Sequence, residues 1–131
     1  MILGLGSDIT DITRIEAALV RFGARLEERV FTPLERERAR AQVQPASVYA
    51  KRFAAKEACI KALNARNHGV SWLEIEIGNL DSGIPLLRVS GNALKRMREL
   101  TPRHMQPFLH VSMSDEYPYA QATVIFSAEV M

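Results

Sequence analysis

Cysteine, tryptophan and long apolar runs are all scarce in this chain, and each shortage narrows what it can be. Cys59 is the only cysteine among 131 residues, so no intrachain disulfide can form, and a reducing, cytoplasmic setting is expected. No stretch approaches the roughly 20 apolar residues of a membrane span. The segment Met1-Ile2-Leu3-Gly4-Leu5-Gly6-Ser7-Asp8 lacks the basic start and apolar run of a signal peptide. Charge of one sign is scarce too: 17 Lys and Arg against 15 Asp and Glu leave a net charge of +2, too little alone to indicate nucleic acid. There is no glycine-rich phosphate loop with a following Lys and Ser or Thr, no G-x-S-x-G elbow, and no internal repeat or linker. What remains is an ordinary globular composition, 47% hydrophobic and 24% charged, and one domain over residues 1–131 is expected.

The hydrophobic pattern changes period along the chain. Ile2 to Ile9 reads as a buried strand in which Gly4, Gly6 and Asp8 share one face, leaving room beside Asp8 for another backbone or a ligand. From Thr10 the spacing of Ile12, Ile15, Leu19, Phe22 and Leu26 predicts an amphipathic helix capped by Thr10 or Asp11 and open to division at Gly23. Thr32-Pro33 with Glu35 is a capping-box start for a short helix to about Gln42. A long helix follows Pro45, with Ser47 as a candidate cap, and runs to about Asn64. Trp72 to Ile77 and Ile84 to Val89 predict one hairpin, Ala93 to Leu100 a helix, and Phe108 to Ser114 with Ala120 to Ser127 a second hairpin. The class is α+β: an N-terminal strand, a helical block with a long central helix, then mostly antiparallel strands with one further helix.

Glu57 stands out because it falls within the apolar stripe of the long helix formed by Tyr49, Phe53, Ala54, Ile60 and Leu63. An unpaired carboxylate buried there costs several kcal/mol, so it needs a cation, a metal or a task. Taken alone, the helix favours a plain pair with Lys61, one turn on, worth roughly 0.3 to 0.5 kcal/mol. Asp8 likewise has a local use as a cap for the helix that follows. If helix and strand pack together, however, the two carboxylates converge, and a pair of carboxylates with phosphate oxygens and water suits Mg²⁺. Lys56 and Lys61 flank Glu57 as possible phosphate contacts. Arg14, Arg21 and Arg25 form a narrow basic stripe opposite the apolar face, either a solvated surface or a docking ridge for an acidic partner. Glu35-Arg36-Glu37-Arg38 alternates in sign and reads as a solvated face. His110, Ser112 and Asp115 do not make a hydrolase triad, since residues along one strand cannot adopt its hydrogen-bonded chain. Cys59 reads as a packing residue.

Several segments, in order, resemble one family. Gly4-Leu5-Gly6-Ser7-Asp8-Ile9, Arg14-Ile15, Val30-Phe31-Thr32-Pro33-Leu34-Glu35, Arg52-Phe53-Ala54-Ala55-Lys56-Glu57-Ala58 with Lys61-Ala62-Leu63, Gly83-Ile84-Pro85 and His110-Val111-Ser112-Met113-Ser114 look like holo-acyl-carrier-protein synthase, the small trimeric class of 4′-phosphopantetheinyl transferases. The resemblance runs end to end and implies that fold. It also implies that Asp8 and Glu57 hold Mg²⁺ on the pyrophosphate of coenzyme A and that Lys61 contacts phosphate, with Lys56 in the same motif. By the same resemblance Arg14, Arg21 and Arg25 receive an acidic acyl carrier protein. The resemblance further implies that Gly83, Pro85 and Ser112 line a cofactor cleft between subunits of a homotrimer, with Glu57 and Lys61 at the chemistry.

Two segments depart from the family pattern. Asn64-Ala65-Arg66-Asn67-His68-Gly69 is longer and more basic than the usual K-A-L-G-T-G continuation, and Asp115 stands where many members carry a histidine. The implied activity is transfer of the 4′-phosphopantetheine arm to a serine of apo-acyl carrier protein for fatty acid biosynthesis. Transfer to a secondary-pathway carrier, and a silent carrier-binding module, are the alternatives.

Overall fold

In the computed structural model, which describes residues 1–131, the N-terminal strand β1 (Ile2–Asp11) is laid directly against a helix. That helix is α4 (Pro45–Ala62). A Cβ on Gly4 would stand 2.0 Å from the Ala62 carbonyl oxygen, and one on Gly6 would stand 1.9 Å from that of Ala58. Only glycine on the strand, facing alanine on the helix, permits so close an approach. Asp8 is the next residue on this face, so the packing that excludes side chains at Gly4 and Gly6 carries Asp8 to the flank of α4.

The strand pairs antiparallel with β5 (Tyr119–Val130), which pairs with β4 (Met105–Glu116), giving the sheet order β1-β5-β4. Asp8 stands opposite Ala122, and Ala122 opposite Met113. Ala120, Ala122, Val124, Phe126 and Ala128 turn inward and are buried, while the intervening residues turn to the other face. No helix covers that second face, where Leu5 is 64% and Ile9 65% exposed.

Between β1 and α4 come α1 (Ile12–Phe22), α2 (Ala24–Val30) and α3 (Pro33–Arg40). Asp11 is the cap of α1, its carboxylate accepting from Thr13 N at 2.9 Å, so Asp8 is free of that duty. Gly23, at φ 55°, divides the first helix as its position suggests. Thr32 and Glu35 make the expected reciprocal capping box. Ser47 does not cap α4: the helix begins at Pro45, with Gln44 at the N-cap and no side-chain bond. Trp72–Glu74 forms a 3-10 turn, and the hairpin strands β2 (Ile75–Asn79) and β3 (Pro85–Val89) follow. The last helix, α5 (Gly91–Leu100), closes the core over Ala93 and Met97.

Helix α4 is enclosed on nearly every side, which explains its lack of a clear polar face. Cys59 lies in this core, where burial pushes its thiol up to about 12 and keeps it unreactive. No helix is long and apolar enough to cross a membrane.

Candidate functional site

Asp8 and Lys61 meet along the seam of β1 and α4, and Glu57 stands one turn before Lys61 on that helix. Lys61 Nζ lies 3.1 Å from Asp8 Oδ1 and donates to the Ser7 carbonyl at 2.9 Å. Glu57 is one helical turn before Lys61 on the same side of α4, yet the two do not form the local ion pair. Its Oε1 instead accepts from the indole Nε1 of Trp72 at 2.9 Å. Each carboxylate therefore has one oxygen held by the protein and one, Asp8 Oδ2 or Glu57 Oε2, without a protein donor. Glu57 is half-buried and not at the bottom of the core.

Lys56 occupies the deep position. Its side chain is fully buried, with Nζ 2.7 Å from Glu35 Oε1, and it also donates to the carbonyls of Trp72, at 2.9 Å, and Ile75. Burial pushes its ammonium below the ordinary lysine value, against the opposing pull of Glu35. Glu35 is saturated in turn, accepting from Thr32 N at 2.9 Å and Ile77 N at 2.8 Å. The expected solvated face of α3 thus sends its first acid into the core, and the expected phosphate contact of Lys56 is replaced by a structural ion pair.

On the opposite flank of α4 is a hollow of roughly 350 Å³ lined by Arg38, Lys51, Arg52, Asn79, Gly83, Pro85 and Met113, among others. Arg52 is only 3% exposed; one of its terminal nitrogens donates to Asn79 Oδ1 at 3.0 Å, and its Nε has no partner. Burial and then the like charge of Arg38 press its pKa downward, against the opposing charge of Glu35. Asp115 pairs with Lys51 at 3.1 Å on the rim. Gly83 and Pro85, which the resemblance implies to be cofactor contacts, line this hollow. Ser112 precedes Met113 on β4 and so turns to the uncovered sheet face, away from this hollow. Arg38, Lys51 and Arg52 escaped the sequence reading; the usable signal was an arginine directly before Phe53 on a helix with almost no solvated side.

Arg14 and Arg21 are exposed on α1 and form no ion pair, Arg21 lying 5.0 Å over the Phe22 ring. The bend at Gly23 moves Arg25 out of their stripe. With Phe22, Leu26, Arg29, Val30 and Trp72, the residue that holds Glu57, it borders a second hollow of roughly 350 Å³.

Two carboxylates with spare oxygens, a half-exposed lysine between strand and helix, and a separate cationic hollow are groups chemically suited to a cation and to phosphate oxygens. A family model described as the 4′-phosphopantetheinyl transferase superfamily matches residues 4–122, and the chain belongs to that family. Holo-[acyl-carrier-protein] synthase of Azorhizobium caulinodans is 51% identical over 132 residues, spanning 100% of this chain and 97% of the relative. Among solved structures, that of Helicobacter pylori holo-[acyl-carrier-protein] synthase in complex with coenzyme A has a TM-score of 0.78 at 32% identity, covering 94% of this chain and 99% of that one. The Bacillus anthracis str. Ames synthase in complex with CoA (3′,5′-ADP) has a TM-score of 0.76 at 34% identity, covering 96% of both chains.

Proposed function

We propose that this protein transfers the 4′-phosphopantetheine arm of coenzyme A to a serine hydroxyl of apo-acyl carrier protein, giving holo-carrier and adenosine 3′,5′-bisphosphate, in the service of fatty acid biosynthesis. The observation that carries this reading is the Asp8–Lys61 contact across the β1–α4 seam, with Glu57 one turn away on α4, in a chain whose relatives bear the synthase name over 97% and 94% of their length.

In the reaction the serine hydroxyl loses its proton to water, its oxygen forms a bond to the β-phosphorus, and the bond from that phosphorus to the bridging oxygen breaks, leaving the bisphosphate. Asp8 and Glu57 fit a Mg²⁺ ion: both offer only oxygen, each has a free oxygen, and no third acidic, histidine or cysteine ligand is at hand. An ion that keeps several water or phosphate ligands suits such a sparse donor set. When bound, Mg²⁺ neutralises the pyrophosphate charge. Lys61, half-exposed and held only by Asp8 and a carbonyl, is free to turn to the leaving phosphate, where a positive charge stabilises the developing negative one. The cationic hollow of Arg38, Lys51 and Arg52 serves the phosphate of the adenosine end.

At 100° per residue, Glu57 and Lys61 stand roughly 140° to 180° around α4 from Arg52. A coenzyme A molecule that uses both sites would bridge two chains, which supports active sites between subunits, in the homotrimer that the resemblance implies. The uncovered sheet face, carrying Leu5, Ile9 and Ile125, is the surface such an assembly would bury. Arg14, Arg21 and Arg25 dock the acidic carrier. The single, buried thiol agrees with a cytoplasmic setting.

The test is incubation with coenzyme A, Mg²⁺ and apo-carrier, followed by mass spectrometry for the phosphopantetheine increment. Wild type should give holo-carrier, and Asp8→Ala and Glu57→Ala should not while remaining folded. Normal conversion by either variant would overturn the metal assignment, and a panel of apo-carriers identifies the preferred acceptor.

A further inference from the structure

Glu57 has a single protein partner, and that partner comes from outside its helix. Trp72 Nε1 donates to Glu57 Oε1 at 2.9 Å. The tryptophan is itself fixed from several sides. Its carbonyl accepts from Lys56 Nζ at 2.9 Å, and that ammonium is held by Glu35 in a fully buried pair. Its ring packs against Phe53, with centroids 5.9 Å apart. The turn that carries it is clamped by Glu74, whose two oxygens accept from Ser71 N and Asn92 N, both at 2.8 Å. The orientation of the indole N–H is thus set by a core ion pair and a capped turn, and consecutive residues of α4, Lys56 and Glu57, grip its two ends.

We propose that Trp72 is a positioning residue for Glu57: its N–H holds one carboxylate oxygen and thereby presents the other to the divalent cation, an inference that rests on the metal reading above. A half-exposed glutamate otherwise spreads over several rotamers, and restricting it before the cation arrives removes that entropic cost from binding. Indole is a donor only, so it orients the carboxylate without competing as a ligand. Outer hydrogen bonds of this kind are worth about 10- to 100-fold in metal affinity. This also gives Lys56 a part in the site at one remove, since its ammonium fixes the main chain of Trp72. Trp72 also lines the hollow of Phe22, Arg25 and Arg29, so a carrier seated there touches the residue that sets Glu57.

The experiment uses Mn²⁺ as the probe, titrated into the coenzyme-free protein with free ion followed by electron paramagnetic resonance. Trp72→Phe keeps an aromatic ring and removes the donor; it should raise the Mn²⁺ Kd about tenfold or more. In the transfer assay, excess Mg²⁺ should restore its rate but not that of Glu57→Ala. Because Trp72 is the only tryptophan, biosynthetic replacement by benzothienylalanine changes N–H to sulfur at this one place. It should give the same rise in Kd, and it decides the matter if Trp72→Phe does not fold. Wild-type Mn²⁺ affinity in the benzothienylalanine protein, with affinity lost in Glu57→Ala, overturns the role of Trp72 and leaves the metal site standing. Wild-type affinity in Glu57→Ala overturns the metal site and the positioning role together.

Discussion

Lys61 reaches from α4 to β1 and rests its ammonium 3.1 Å from Asp8 Oδ1, while Glu57, the acid in its own helix, is held by Trp72. The Lys61 side chain is 44% exposed, and such a pair contributes at most about 1 kcal/mol. The lysine can therefore leave Asp8 for an arriving phosphate at little cost. Lys61→Met should lower kcat for holo-carrier formation about a hundredfold, measured by timed mass spectrometry. Mn²⁺ binding should hold or tighten, because Asp8 loses a competing cation. A weaker Mn²⁺ affinity would mean that Lys61 chiefly holds Asp8 in place.

Lys56 sits in the same motif and should behave in the opposite way. Removing it strands Glu35, which is 0% exposed, and breaking a buried pair costs about 3–5 kcal/mol. Lys56→Met should show that loss in urea unfolding, while KM for coenzyme A, measured on the folded protein at saturating Mg²⁺ so that a displaced Trp72 does not limit the site, stays near the wild-type value. A stable variant with a raised KM would return Lys56 to the phosphate.

The contrast between these lysines shows where the sequence stopped being legible. Period-two alternation placed Asp8 on the glycine face, and Thr32, Glu35 and Gly23 announced a cap and a bend, because each depends on neighbours a few residues away. The wheel of α4 misjudged burial. It assumes one apolar stripe, whereas this helix is packed on nearly all sides, and its deepest polar groups are Lys56 and Arg52, not Glu57. Glu35 and Trp72 join them only through tertiary contacts between α3, α4 and the 3-10 turn. The cationic hollow was likewise unreadable, since Arg38, Arg52 and Gly83 come from three separate elements.

Asp115 shares Lys51 with the hollow, at 3.1 Å, and partly neutralises it. Both side chains are partly exposed, so the pair is worth up to about 1 kcal/mol. Asp115→Asn frees Lys51 for an anion and should lower KM for coenzyme A by up to about fivefold, with a steeper dependence on salt. Initial rates at two ionic strengths measure both effects. A raised KM would show that Asp115 holds Lys51 in its binding position.

Arg14 and Arg21 are exposed on α1 and form no salt bridge, and although the Arg14 charge favours the Asp11 cap, reversing the two should leave the fold intact. Two reversals at about 0.7 kcal/mol each amount to about tenfold in carrier affinity. Arg14→Glu with Arg21→Glu should therefore raise KM for the carrier about tenfold and leave KM for coenzyme A unchanged. The salt dependence should flatten, because the attraction being screened is gone. Arg25 is a separate case: past the bend at Gly23 it borders the Trp72 hollow, so Arg25→Glu should act on carrier binding independently and add to the α1 pair. Equal effects of the α1 reversals on both substrates would place the carrier elsewhere.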